Sequence, residues 1–308
     1  MARVKTAKQD LVLVNKGVEI RLSRDYTELE KQSMARLEEL LAPYPKARRL
    51  LDLLVPDPEV RADWDMADYL VVAKMAFNDH GEVHHKVVGT AAVSLLQLLI
   101  EGGVQPDVVA SGAGDLDDAM VVVLGAALLH DIGNQIHREG HEIMSAVLSI
   151  NVLDRLLAQI YPEPEQVYEL RAFILHAIRC HDIEVPPLTL EAAIVAVADA
   201  CDCTKGRSRY AFDEGSISIH TVSGISVERV AIERGDQKPI RIRVELTNSA
   251  GIFVVGEYIL PKINAGALAP YAELLVSTTP DEGHTDRRVL YAVEMQGKRF
   301  VATPPAGP

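Results

Sequence analysis

The sequence lacks the features that announce several common functions. No apolar run reaches the roughly 20 residues a membrane span needs, and the longest, such as Val121 to Leu129, have the length of a core helix. The opening Met1-Ala2-Arg3-Val4-Lys5 is basic, but no apolar stretch of signal-peptide type follows it. A cytoplasmic protein without membrane contact is expected. Cysteine is scarce: Cys180, Cys201 and Cys203 are odd in number and form no Cys-x-x-Cys pair. That argues against a disulfide framework, agrees with a reducing compartment, and leaves Cys201-x-Cys203 best read as buried structural thiols. One Trp and five Phe give no evident platform for stacking bases. A Gly-rich phosphate loop, a dinucleotide fingerprint and a nucleophile elbow are all missing, and Gly112-x-Gly114 lacks the flanking pattern. Positive charge is in deficit, 31 Lys and Arg against 44 Asp and Glu, for a net charge of −13. Polymeric nucleic acid needs clustered cations, so it is not an expected partner; a local basic pocket could still hold a phosphorylated small molecule.

What is present is a globular chain of 308 residues, 48% hydrophobic and 24% charged, long enough for a large domain and a smaller one. Leu11 to Val14 and Val18 to Leu22 alternate as strands and predict a hairpin around Asn15-Lys16-Gly17. Helical periodicity runs from Tyr26 to Leu41, where Pro43 and Pro45 end it, and again from Asp65 to Phe77. Further helices are predicted at His85 to Ile100, at a segment opened by Asp115-Leu116-Asp117-Asp118 and carrying Val121 to His130, and at about 138–159, 165–180 and 189–203. Beyond Gly206 the pattern changes. Ser216 to Val222, Val227 to Glu233 and Ile240 to Leu246 alternate, a helix fits Ile252 to Ile263, and a last strand fits Ala272 to Ser277. The expected organisation is an N-terminal hairpin and helical extension (1–64), a helical metal-binding domain (65–210), a small α+β domain (211–285) and a tail (286–308).

Histidine is concentrated. Eight of the ten lie between residues 80 and 181: His80, His84, His85, His130, His137, His141, His176 and His181. Imidazole is the commonest transition-metal ligand, and such crowding needs a reason. A His-Asp dipeptide alone means little, since about one is expected by chance. The chain has two, His130-Asp131 and His181-Asp182. The first stands at the end of a strongly apolar helix, before Ile132-Gly133, where the helix C-terminus favours a cation. His80 and His84, like His137 and His141, are four apart and share a helix face, whereas His176 and His181 are five apart. Asp199 follows the apolar run Ala192 to Ala198, where an unpaired carboxylate would be costly. Singly each residue has a bland reading: His80 and His85 read better as surface or supporting groups than as ligands, His137 could be exposed, and Asp199 could pack or cap a helix. Together they point to a metal site.

The order His84 … His130-Asp131 … Asp199 resembles the H…HD…D signature of the HD superfamily of metal-dependent phosphohydrolases, over about residues 65–210. Leu128 to Asn134 and Val197 to Asp202 carry the match, and Gly81-Glu82-Val83-His84 supplies the first His, with His85 the alternative. The resemblance implies a mainly α fold, an HD-type helical bundle, with the α+β unit appended. It also implies one or two divalent transition metals (Mn, Fe, Ni, Co or Zn). His84, His130, Asp131 and Asp199 would hold the first; His141, His176 and His181 would hold a second, with Asp131 bridging. The HD-GYP branch shares this ligand order, but the chain has Ile183-Glu184-Val185-Pro186-Pro187 in place of Gly-Tyr-Pro and Cys180-His181-Asp182 in place of a doubled His. Cleavage of cyclic di-GMP is therefore not expected. His80 stands where that branch can use an acid.

The reaction implied is hydrolysis of a phosphoester, of a nucleotide or a related phosphorylated small molecule, with a metal-activated hydroxide. Asp131 and Lys205 are the expected catalytic residues, and Lys205, Arg207 and Arg209, in Thr204-Lys205-Gly206-Arg207-Ser208-Arg209, the expected phosphate contacts. Two other readings stay open: a di-iron oxygenase on the same ligand order, and a non-catalytic metal or ligand-binding regulatory module in which the β-rich unit makes a homodimer.

Overall fold

In a computed structural model of the chain, the described residues are 2–4, 11–15, 18–22, 24–75, 77–204, 207, 223–278, 292–296 and 299–303. The body is helical. It comprises α1 (Arg24–Leu40), α2 (Pro45–Leu54), α3 (Pro58–Met75), α4 (Glu82–Glu101), a short α5 (Asp107–Ala110), α6 (Leu116–Leu129), α7 (His141–Leu157), α8 (Pro164–Arg179) and α9 (Leu190–Cys201). A three-stranded antiparallel sheet precedes it: β1 (Ala2–Val4), β2 (Leu11–Asn15) and β3 (Val18–Leu22).

Two helices make the centre. α6 is buried from Asp118 to Leu129, so its sequence is apolar on every face rather than on one stripe. It packs on α4, α8, α9 and α2. α4 is long and apolar enough to cross a membrane by length and composition, but most of its apolar residues are buried between α1, α6 and α9. The start of α6 is fixed by a reciprocal cap: Asp115 accepts from the amides of Asp117 and Asp118 at 2.9 and 3.0 Å, and Asp118 accepts from the Asp115 amide at 2.8 Å. Lys46 donates to Asp115 and Asp118 at 2.8 and 2.9 Å, tying α2 to this end. The other end is fixed by Trp64 of α3, whose buried indole N–H donates to the Leu128 carbonyl at 3.0 Å. That satisfies one of the carbonyls a helix terminus leaves open and sets where His130 and Asp131 emerge.

The C-terminal unit is a five-stranded sheet in the order β4 (Val227–Arg234), β5 (Ile240–Leu246), β6 (Ala272–Thr278), β7 (Ala292–Gln296), β8 (Arg299–Thr303). All neighbours are antiparallel except β5 and β6. A parallel pair needs a crossover, and the chain supplies one: α10 (Ile252–Val254), a π-helical turn at Val255–Ile259, and α11 (Leu260–Ala265). On β5 and β6 every second residue is buried, Ile240, Ile242, Val244 and Leu246 with Ala272, Leu274 and Val276. The crossover rests on α9, and β4 and β5 rest on α4, so the unit packs against the helical body.

The mainly α class with a smaller α+β part is as the sequence predicts, and β5 spans the predicted residues. Three differences have physical causes. Pro45 ends the first helix as expected but opens another, because proline's missing N–H costs nothing at the first helical position. The stretch 286–308, read as a tail, contains β7 and β8, whose alternation Val293, Met295 and Phe300 is short and interrupted. α3 begins at Pro58, seven residues before the expected domain start, because Asp57 accepts from the amides of Glu59 and Val60 at 3.0 and 3.3 Å and opens the helix there. The predicted strand at Ser216 to Val222 lies outside the described residues.

Candidate metal centre

The centre forms where five segments meet at the C-terminal end of α6. His130 closes the helix, and Asp131 leads into the 3-10 turn Ile132–Gln135. That turn lies against α7 so closely that a Cβ on Gly133 would sit 2.1 Å from the His141 carbonyl and 2.5 Å from the Ser145 amide nitrogen. Glycine is therefore required there, and the Gly133 amide donates to Ser145 Oγ at 2.8 Å. This contact brings His141, at the start of α7, beside Asp131. His84 comes from the first turn of α4. Gly81 just before it would push a Cβ to within 2.2 Å of the Asp68 carboxylate, which accepts from the His80 amide at 3.0 Å. Asp199 comes from the last turns of α9, and His181 follows α8.

Two groups of donor atoms result. Nε2 of His84 and His130, Oδ2 of Asp131 and Oδ1 of Asp199 form the first; Oδ1 of Asp131 with Nε2 of His141 and His181 form the second. Asp131 thus points one oxygen into each. Within the first group the separations are 3.1 Å (His84 to His130), 3.3 and 3.4 Å (His84 to Asp199 and Asp131) and 3.4 and 3.6 Å (His130 to Asp131 and Asp199). Within the second they are 3.1, 3.1 and 3.5 Å. Bonds of about 2.0–2.2 Å to one ion place its donors about 3–3.5 Å apart, so both groups are of metal-binding size.

The hydrogen bonds on the far side of each ring say more. Nδ1 of His130 faces the Ala127 carbonyl at 2.8 Å, that of His141 the Arg138 carbonyl at 3.0 Å, and that of His181 the Ile178 carbonyl at 2.7 Å. Nδ1 of His84 faces Asp202 Oδ2 at 2.7 Å. Carbonyl and carboxylate oxygens only accept, so Nδ1 carries a hydrogen in all four rings and Nε2 is the nitrogen left to take a proton or a metal ion. The Nε2 atoms face each other in twos at 3.1 Å. Such close pairs need a proton or a metal ion between them, and backbone or carboxylate anchoring of the outer nitrogen is what metal-bound histidine requires.

Charge agrees. Burial opposes the ionised forms of Asp131 and Asp199, yet His130 and His80 around the first, and Lys262 with His130 and His84 around the second, hold both well below the usual carboxylate range. Burial and Arg207 push His84 down, but hydrogen bonds to Asp131, Asp199 and Asp202 outweigh them and raise it to about 10. Without a metal the first group therefore keeps a proton where a cation would sit. Burial pulls His181 below its usual value, which favours the neutral form that can ligate.

The other predicted residues are placed differently. His176 is not brought into the second group: its Nε2 accepts from the Leu188 amide at 3.1 Å and its Nδ1 lies 3.6 Å from Cys180 Sγ. The five-residue spacing from His181 turns the two away from each other, and the chain leaves the helix between them. His137 is exposed and accepts from the Glu139 amide. His80 is buried, with Nδ1 on the Asn78 carbonyl at 2.6 Å and Nε2 3.9 Å from Asp131. His85 bonds the Gly81 carbonyl and packs between Trp64 and His130. Arg207 is buried rather than solvated: it donates to the carbonyls of Asp79 and Asp202, both at 2.8 Å, and its Nη2 lies 3.2 Å from His84 Nε2. Lys205 and Arg209 lie outside the described residues. Four participants were not singled out from sequence. Asp202 holds His84, and Asn134 donates to Asp131 Oδ1 at 2.9 Å. Arg138 places Nη1 3.0 Å from His141 Nε2, and Lys262 contacts Asp199 at 2.6 Å. Spacing could have found the first three: Asp202 is three after Asp199, Asn134 three after Asp131, Arg138 three before His141.

A family model described as the HD domain matches residues 107–204, a span that includes His130, Asp131, His141, His181 and Asp199. An uncharacterised protein of Methanocaldococcus jannaschii, MJ1020, is 38% identical over 227 residues, 74% of this chain and 87% of that one. The chain belongs to the HD-domain family. HD-domain membership brings a metal-dependent, hydrolase-type family and divalent metal binding. His84 lies before the matched span, and it is the fold that adds it to the site. Ribonuclease Y of Symbiobacterium thermophilum is 33% identical over 97 residues, covering 32% of this chain and 16% of that protein. No solved structure matches the chain.

Proposed function

We propose that this HD-domain protein is a metal-dependent phosphohydrolase that cleaves a phosphoester of a nucleotide or a related phosphorylated small molecule. The observation that carries the reading is the shared carboxylate of Asp131, with one oxygen in each of two donor groups whose histidine Nε2 atoms converge. His84, His130, Asp131 and Asp199 would hold one divalent ion, and Asp131, His141 and His181 a second. Ions bound there supply Lewis acidity toward a phosphoryl oxygen and lower the pKa of water.

The chain's own part is to bind and orient. Asn134 fixes the Asp131 carboxylate, and Asp202 and the backbone carbonyls fix the four rings. Arg138 lies at the second group with 28% of its side chain exposed, near Asp182 at 3.9 Å, and is placed to meet a phosphate arriving from solvent. Arg207 offers Nη2 at the first group. Lys205 and Arg209 keep the phosphate-binding role their basic run suggests, Lys205 also its catalytic one. Net charge of −13 favours a small substrate over the polymer named in ribonuclease Y. Three buried free thiols suit the cytoplasm, and the C-terminal β-rich unit would serve a homodimer.

The test is to purify the chain, count metals per protein, and assay nucleotides and generic phosphomonoesters and diesters with Mn, Fe, Ni, Co or Zn. Two ions per chain and metal-dependent phosphate release are expected. Iron with oxygen uptake and no hydrolysis would move the protein to the di-iron oxygenases. Loaded protein inert toward every substrate would make the centre structural or regulatory.

A further inference from the structure

The carboxylate of Asp199 faces two ways. Oδ1 lies in the first donor group, 3.3 Å from His84 Nε2 and 3.6 Å from His130 Nε2. Oδ2 accepts from Lys262 Nζ at 2.6 Å and from the Tyr258 hydroxyl at 3.1 Å. Both donors come from the crossover between β5 and β6, four residues apart and so on one helical face. Lys262 is 1% exposed in its side chain, and its ammonium lies 4.4 Å from the centre of the Tyr258 ring. A lysine this buried loses the hydration that an ammonium favours, and it has been brought from the C-terminal unit to one oxygen of one carboxylate.

We propose that Lys262, supported by Tyr258, is a positioning residue of the metal centre: it occupies Asp199 Oδ2, so that the carboxylate offers a cation Oδ1 alone, and it cancels one negative charge of the first donor group. This rests on the two-metal reading above. The C-terminal unit then sets how tightly the first ion is held. The ammonium and the ion attract the same carboxylate and repel each other, so lysine weakens an ion that the four donors would otherwise bind more strongly. It trades affinity for a site whose net charge still welcomes an anionic substrate.

The test uses the full chain and measures affinity for Zn2+ and for Mn2+ by competition with a chelator, with circular dichroism and a thermal melt to verify folding. Lys262→Met is expected to bind the first ion at least ten-fold more tightly, because repulsion is removed and both Asp199 oxygens are free. Lys262→Arg keeps the charge and is expected to stay within about three-fold of the original. Tyr258→Phe is expected to shift affinity in the same direction as the methionine variant by a smaller factor. Structural damage would weaken binding, so unchanged or weaker binding by a folded Lys262→Met protein overturns the proposal. Should that variant not fold, Tyr258→Phe decides: a shift toward tighter binding supports the proposal and unchanged affinity overturns it. Affinity does not depend on turnover. A chain that binds ions and hydrolyses nothing loses the phosphohydrolase reading and keeps this one; an active chain whose Lys262→Met affinity does not move loses only this one.

Discussion

The two donor groups share Asp131 and the burial of their donors but differ in donor number and in what surrounds them. The first has four donors, all nearly without exposure, and is backed by buried Arg207, Lys262 and Asp202. The second has three donors and is bordered by Arg138 and Asp182, whose side chains are 28% and 25% exposed. A four-donor site retains its ion, while a three-donor one leaves coordination positions for water or substrate. On the proposed reading the first ion anchors and the second meets the phosphoester. Asp131 makes the pair interdependent.

The sharpest test of that interdependence removes the shared group. Asp131→Asn keeps the shape and the Asn134 contact but takes a charge from both groups, so metal content should fall from two ions to near zero and turnover by about 1,000-fold or more; retention of one tightly bound ion would show that the groups are separate. Next come the unshared ligands. His181→Ala is expected to leave one ion per chain, whereas Asp199→Asn should cost both, because the second group depends on a filled first; equal stoichiometries would erase the distinction.

pH separates the groups more gently. His84 is raised from 6.5 to about 10 in the metal-free fold. A raised folded value means stability that is fully present below 6.5 and is lost as pH rises through about 10. Metal-free protein should therefore lose melting temperature across that window, while metal-loaded protein, with the proton replaced, should not. The same proton competes with the ion, so affinity of the first group should fall as pH is lowered, up to about ten-fold per unit for each proton displaced. His181 is lowered and neutral, so the second group should respond less above neutrality. The smallest effect belongs far from both: Asp115→Ala removes the cap of α6 and is expected to cost about 1 kcal/mol in denaturant unfolding, with metal content unchanged. A change in metal content would mean that the position of the far end of α6 also tunes the site.

Legibility in the sequence followed the range of the interaction. The burial of α6 and the alternation of β5 are local patterns, and both were readable. The set His84, His130, Asp131 and Asp199 was readable because motif order substitutes for geometry. His176 was misplaced because residue spacing measures a helix face only while the chain remains helical, and α8 ends between His176 and His181. Tyr258 and Lys262 left no trace, since their relation to Asp199 exists only after the crossover docks on α9. The π-helical turn that carries Tyr258 has no sequence marker either.

The segment recognised as a domain, 107–204, is therefore smaller than the machine it belongs to. His84 enters from before it and Lys262 from after it. Excised as a cassette or swapped between relatives, the segment would carry Asp199 without its ammonium and His130 without its neighbour. Modularity here ends at a single carboxylate, and any exchange of parts must cut outside both of its partners.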